Sequence, residues 1–286
     1  MSELLISVAE LSGVIDTPDL FVFDVRHELS DHAAGRVAYQ QGHIPGALFL
    51  DHETQLAAPK TGLNGRHPLP DITAFAGLLR ALGLTPQSRV VVYDAGNGAF
   101  AAHLWWMLRW AGYRHVQVLD GGWQAWLAAS GDVQVGAGPD MAQLAASIPQ
   151  AVQPAMPSVD ARAVLANLEK PRFTVLDARD AARFRGEVEP MDPVAGHIPG
   201  AINRPIGLNM QADGHFKPAA LLHQEFTALL QGKSPESIVH QCGSGITACH
   251  NLFAMELAGL NGSSLYPGSW SEWCSDPTRP VALGSD

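Results

Sequence analysis

A parallel α/β fold, built twice in tandem, is what this sequence predicts, and three observations carry that reading. The six residues GHIPGA stand at 42–47 and again at 196–201. β-rich runs alternate with runs whose apolar residues recur at helical spacing, the alternation that lays helices over both faces of a parallel sheet. Glycine-rich turns stand where a strand hands over to a helix, beyond the carboxyl end of the strand, which is where open α/β sheets bind ligands.

In chain order, residues 21–26 (FVFDVR) form the first β-rich run, and the first GHIPGA follows. Residues 72–80 (ITAFAGLLR) carry apolar side chains at helical spacing. A second strand at 90–93 (VVVY) leads into the turn 94–98, and 111–123 (AGYRHVQVLDGGW) completes the half. The second half repeats the order. Residues 174–179 (TVLDAR) answer 21–26, the second GHIPGA follows, and 219–226 (AALLHQEF) form a helix. Residues 238–241 (IVHQ) then stand in place of 90–93, and 258–270 (AGLNGSSLYPGSW) in place of 111–123. Ordered matches at one nearly constant offset mean a duplicated domain. The expected domains are 1–140 and 158–286, joined by a Gly/Pro/Ala-rich stretch at 131–158. The 7 tryptophans fall at helical spacings or at matched repeat positions, a pattern of packing and not of binding.

With 286 residues and 47% hydrophobic content, the chain can fill two ordinary cores, and its composition is that of a soluble globular protein. Its net charge of −10, with no basic run, argues against nucleic acid and anionic membrane as partners. The N-terminus MSELLISVAELSG has Glu3, no basic region and too short an apolar stretch for a signal peptide, and nothing later approaches a membrane span. The expected location is the cytoplasm. An odd count of 3 cysteines, with no CxxC and no Cys/His cluster at metal spacing, suits a reducing compartment and argues against a disulfide framework or a zinc site.

The turn that carries chemistry lies in HQCGSGITACHN, residues 240–251. A strand ends just before Cys242, and 247–257 (TACHNLFAMEL) continue at helical spacing with Gly259 as a stop. Gly243 and Gly245 let the turn take positive φ and close into a ring of inward N–H groups, which with the helix N-terminus makes an anion site. A sulfur facing that ring is favoured as thiolate, so Cys242 reads as a nucleophile. The alternative, a small buried hydrophobe, suits Cys249 and Cys274 better. Cys249 lies roughly 10 Å along the helix from Cys242, beyond the ~7 Å Cα limit for a disulfide. In the first half the matching position is Asp94, whose carboxylate cannot act as a soft nucleophile, so that half is expected to keep the fold without the chemistry.

With the paired GHIPGA, the DVR/DAR pair and the CGSGITA turn, the chain resembles the two-domain rhodanese superfamily, and the turn is most similar to that of the 3-mercaptopyruvate sulfurtransferases. The resemblance spans essentially the whole chain and implies tandem rhodanese-like domains, the second of them catalytic. It implies an enzyme, a sulfurtransferase in which Cys242 takes a sulfur atom from a small anionic donor, holds it as a persulfide and passes it to a thiol or cyanide. A thioredoxin-like protein is among the acceptors it suggests, and no metal or organic cofactor is implied. Matched residue by residue, the family's substrate arginine falls on Arg183 in ARFRG, residues 182–186, whose planar guanidinium suits a carboxylate. Gly243, Ser244, Gly245, Ile246 and Thr247 match the loop that surrounds the sulfur. Ser244 resembles the serine of a hydrogen-bonded relay whose histidine would be His67 and whose acid would be Glu53. The family's second arginine ends a PEPR-like stretch, whereas residues 188–192 read VEPMD, so no cation stands there. Arg66, beside His67, is the candidate replacement, against a reading as an exposed loop arginine.

Thiosulfate is a dianion, and thiosulfate-selective relatives place basic side chains directly after their cysteine. Residues 243–245 offer backbone dipoles and a hydroxyl instead, so 3-mercaptopyruvate is the expected donor of the two. Two rival classes remain in view. Cysteine-dependent phosphatases and arsenate reductases place an arginine six residues after the cysteine, where this chain has Ala248. A non-enzymatic binding module would keep the fold alone, as the Asp94 half does, but would have no need of a cysteine in a glycine turn.

Overall fold

The structure, a computed structural model, describes residues 4–138 and 152–285. Of the expected linker, residues 139–151 lie outside the described residues. The chain forms two compact units. The first takes the described residues of Met1–Ala58, Pro70–Met156 and Ala212–His215, and the second those of Pro59–Leu69, Pro157–Gln211 and Phe216–Asp286. Residues 59–69 stand within the first repeat in sequence, yet they pack as part of the second unit.

In the first unit the strands are β1 (Leu5–Ile6), β2 (Leu20–Asp24), β3 (Leu48–Phe49), β4 (Arg89–Tyr93) and β5 (Val116–Leu119). They form one parallel sheet in the order β1-β5-β4-β2-β3. Helices α1 (Val8–Ser12), α2 (Ala34–Gln41), α3 (Ile72–Ala81), α4 (Ala99–Trp110) and α5 (Gly122–Ala128) flank it. α3 begins where Asp71 caps it, its carboxylate accepting the Ala74 N–H at 2.9 Å, and its apolar face buries Phe75, Ala76 and Leu79. α4 is apolar nearly all round, and accordingly it is buried nearly all round, Trp105 and Trp106 included.

The second unit contains α6 (Ala161–Glu169), β6 (Thr174–Asp177), α7 (Ala181–Phe184), β7 (Ile202–Asn203), α8 (Ala219–Leu230), β8 (Ile238–Gln241), α9 (Ile246–Leu257), β9 (Ser264–Leu265) and α10 (Ser269–Trp273). Its strands are again parallel, in the order β7-β6-β8-β9. β1, the edge strand beside β5, has a reduced counterpart here, the parallel bridge between Ser158 and Leu265 of β9.

The repeated motifs have a shared structural cause. β2 and β6 end in aspartates, Asp24 and Asp177, each gripped by the arginine two residues on through Nε and Nη2. The same Nη2 atoms donate to the carbonyls of Gly42 and Gly196, the first residues of the two GHIPGA motifs, at 2.6 and 2.8 Å. Arg26 lies over Trp123 and Arg179 over Trp270, with the guanidinium carbon 4.6 and 4.7 Å from the ring centroid. The motif histidines His43 and His197 use Nδ1 to reach the carbonyls of Tyr39 and Phe184, and stack on those same rings. Each Asp–Arg pair is nearly or fully shut from water, so removing one partner would strand a charge and cost about 3–5 kcal/mol.

Candidate active site

The site grows from the carboxyl end of β8. All four of its residues are buried, and Asp177 of β6 pairs with Gln241, so Cys242 emerges one residue past the ladder. In the first sheet Asp24 pairs with Tyr93, which sets Asp94 at the equivalent point. The turn after Cys242 closes because Gly245 adopts φ 91°, a left-handed value, while a side chain there would collide with the carbonyl of Pro267. Ser244 and Gly245 turn their N–H groups onto Cys242 Sγ at 3.4 and 3.1 Å. Ile246 and Thr247 open α9, whose first-turn N–H groups lack partners within the helix. The cysteine itself is 1% exposed.

A second segment braces the turn from the other side. Trp270 and Ser271 donate their N–H groups to the carbonyls of Cys242 and Gly243, and the Cys242 N–H donates to Ser269 Oγ at 3.0 Å. Ser269 has φ 54°, costly for a residue with a side chain; its counterpart in the first repeat is Gly122, also at φ 54°. Its hydroxyl donates in turn to the Tyr266 carbonyl.

The loop 59–69 supplies the next layer. His67 Nδ1 lies 2.9 Å from Ser244 Oγ, with both residues buried, and the Arg66 N–H donates to Ser271 Oγ. Two guanidinium groups flank Gly243. A Cβ there would stand 2.7 Å from Arg66 Nη2 and 3.6 and 3.7 Å from the two Arg183 Nη atoms. Arg183 comes from the end of α7 and is held by Glu189, with Nη2 to Oε1 at 2.7 Å. Both arginines also reach Asp192: Arg66 Nη1 to Oδ1, and Arg183 Nη2 to Oδ2 at 3.3 Å. Burial pushes the Glu189 carboxyl up, but hydrogen bonds from Arg183 and from the N–H groups of Met191 and Asp192 outweigh it and hold the group below its usual value.

The structure therefore brings Cys242, Ser244, His67, Arg183, Arg66, Gly243 and Gly245 together, with Ile246 and Thr247 at the start of α9. Glu53 belongs to the first unit, its Oε1 3.3 Å from His32 Nδ1 and 3.9 Å from His27 Nε2. Those three side chains place potential ligand atoms within 4.8 Å of one another, a grouping invisible in sequence spacing. The other two thiols have different surroundings. Burial, and then the neighbouring Cys242, pushes the Cys249 thiol well up, while burial and then Asp192 push Cys274 up to about 11.

Sequence reasoning missed Glu189, Asp192 and Ser269. The two acids were visible only as the place of a missing arginine. Ser269 could have been found, because it breaks the GGW/GSW match at a glycine position.

In the first unit the equivalent ring is filled by its own side chain. Asp94 is 1% exposed and accepts four N–H groups, Oδ1 from Gly96 and Gly98, Oδ2 from Phe100 and Ala101, at 2.9–3.2 Å. Burial pushes its carboxyl up, against those four hydrogen bonds, which favour the charged form.

Residues 7–129 and 160–276 each match the family model of the rhodanese-like domain. A probable 3-mercaptopyruvate sulfurtransferase of Pseudomonas aeruginosa is 48% identical over 99% of both chains. A putative thiosulfate sulfurtransferase of Mycobacterium tuberculosis is 40% identical, covering 99% of this chain and 98% of the relative. Among solved structures, the 3-mercaptopyruvate sulfurtransferase from Leishmania major superposes with a TM-score of 0.82 at 28% identity, over 97% of this chain and 75% of that one.

Proposed function

The chain belongs to the rhodanese-like family, and from that premise we propose that it is a sulfurtransferase that carries the transferred sulfur on Cys242 and prefers 3-mercaptopyruvate to thiosulfate. The observation that carries the reading is the contrast between the repeats: one ring of N–H groups holds the Cys242 sulfur, the other the Asp94 carboxylate. The Cys242 thiolate attacks the donor's sulfur, an S–S bond forms, and the donor's C–S bond breaks. The electron pair of that bond leaves on carbon as the enolate of pyruvate, which takes up a proton to give pyruvate. In this reading Ser244, whose hydroxyl lies 2.9 Å from His67 Nδ1, delivers it. An acceptor thiolate then attacks the outer sulfur and releases Cys242 as thiolate, and cyanide in the same role leaves as thiocyanate. With thiosulfate the leaving group is sulfite.

Arg183 and Arg66 receive the donor's anionic end beside Gly243. Relatives named for each donor occur at similar coverage, so the preference rests on the charge of the site. The turn offers dipoles and a hydroxyl, and two carboxylates stand by the arginines, which disfavours a dianion. Three unpaired cysteines support a reducing, cytoplasmic setting with a small thiol or a thioredoxin-like protein as acceptor.

Side-by-side turnover tests the reading. The expected kcat/KM is roughly ten- to a hundredfold higher for 3-mercaptopyruvate, the factor set by about 1.5–3 kcal/mol for one charge-assisted hydrogen bond. Peptide mass analysis after incubation with donor should find the added sulfur on Cys242 alone. Equal turnover of the two donors would remove the preference, and persulfide on Cys249 or Cys274 would remove the assigned nucleophile.

A further inference from the structure

The two arginines beside Gly243 are already bridged by a carboxylate of this chain. Asp192 sets one oxygen on Arg66 and the other on Arg183, the two-point arrangement that a substrate carboxylate would make with the same pair. Its side chain is 4% exposed, against 25% for Arg66 and 16% for Arg183, so the acid is the inner partner and the guanidinium groups are what solvent reaches. Glu189, also 4% exposed, holds Arg183 through Nε and through the same Nη2 that reaches Asp192, whereas Asp192 alone spans both arginines. The Asp192 N–H donates to Glu189 Oε1 at 3.1 Å, which ties the two acids into one short segment after α7.

We propose that Asp192 is a specificity-determining residue of the donor site: its carboxylate occupies the anion seat formed by Arg66 and Arg183, and a donor enters by displacing it. This rests on the sulfurtransferase reading for its substrates, though the seat itself is a matter of anion binding. Displacement has two consequences. Every anionic donor binds more weakly than the bare arginine pair would allow, because the exchange replaces one set of charge-assisted hydrogen bonds by another. The displaced carboxylate remains tethered nearby, so it repels a dianion more than a monoanion. Asp192 thus acts in the same direction as the uncharged turn, against thiosulfate.

Asp192→Asn keeps the size and one acceptor oxygen while removing the charge. In steady-state assays KM should fall roughly fivefold for 3-mercaptopyruvate and by a larger factor for thiosulfate, with the change in KM and not in kcat. A purely structural role for Asp192 would loosen the arginines and raise both KM values, which would overturn the proposal. A binding measurement separates this from the identity of the reaction. Pyruvate, a carboxylate with no sulfur to give, is titrated calorimetrically into Cys242→Ser and into the Cys242→Ser/Asp192→Asn double variant. Tighter binding to the double variant, by roughly fivefold or more, supports the occupied seat even if neither donor is turned over. Equal or weaker binding refutes it even if the enzyme is a sulfurtransferase.

Discussion

Ser269 sits in a conformation that its repeat counterpart meets with glycine, and it keeps its side chain there. A left-handed backbone costs a non-glycine residue of order 1 kcal/mol, so the hydroxyl must return something. It bridges the Cys242 N–H and the Tyr266 carbonyl, fixing the backbone from which the proposed nucleophile projects. Ser269→Gly should relieve the backbone cost and lose the two hydrogen bonds, leaving stability within about 1 kcal/mol of the parent. The rate of sulfur transfer should fall several-fold, because Cys242 loses its brace. Urea unfolding alongside single-turnover kinetics checks both halves, and an unchanged rate would reduce the serine to packing.

At the scale of the element, strand, turn and helix are built twice with different residues at the hub. β8 and α9 enclose a thiol, whereas β4 and α4 enclose a carboxylate whose two oxygens each take two N–H groups. Asp94→Asn would turn an amide NH2 toward two of those donors, leaving buried groups unsatisfied. The expected loss is about 2 kcal/mol of stability, read by urea unfolding, with sulfur transfer near that of the parent. An Asn variant as stable as the parent would show that the turn does not depend on the charge. This element was legible in advance, since both turns follow a β-branched run and precede a helical period. The buried Asp–Arg pairs were legible too, through DVR, DAR and the glycines they reach. What the chain order could not show was the company of Arg66, because its partner Asp192 is 126 residues away and ion pairs leave no periodicity.

For the whole molecule, acid should be a sharper stress than the carboxylates alone imply. His240 lies within β8 at 0% exposure, its Nε2 3.0 Å from Ser263 Oγ, and burial pushes it down from its ordinary 6.5 to about 3. Above pH 6.5 it is neutral whether the chain is folded or not, and its contribution is complete. As pH falls toward 3 the unfolded chain takes a proton that the folded one refuses, and stability is lost across that window. By about pH 5 the loss should reach about 2 kcal/mol, and His240→Asn should flatten that part of the profile. A variant profile as steep as the parent's would assign the acid sensitivity elsewhere. The placing of residues 59–69 in the second unit bears on how this protein could have descended from its single-domain ancestor. Cys242 and Ser244 stand on one side of the region between the repeats, while Arg66 and His67 stand on the other. A gene cut there would yield two polypeptides, neither encoding the complete set. On the proposed chemistry the duplication is indivisible: the copy without the thiol holds two of the side chains that the other copy's thiol works beside.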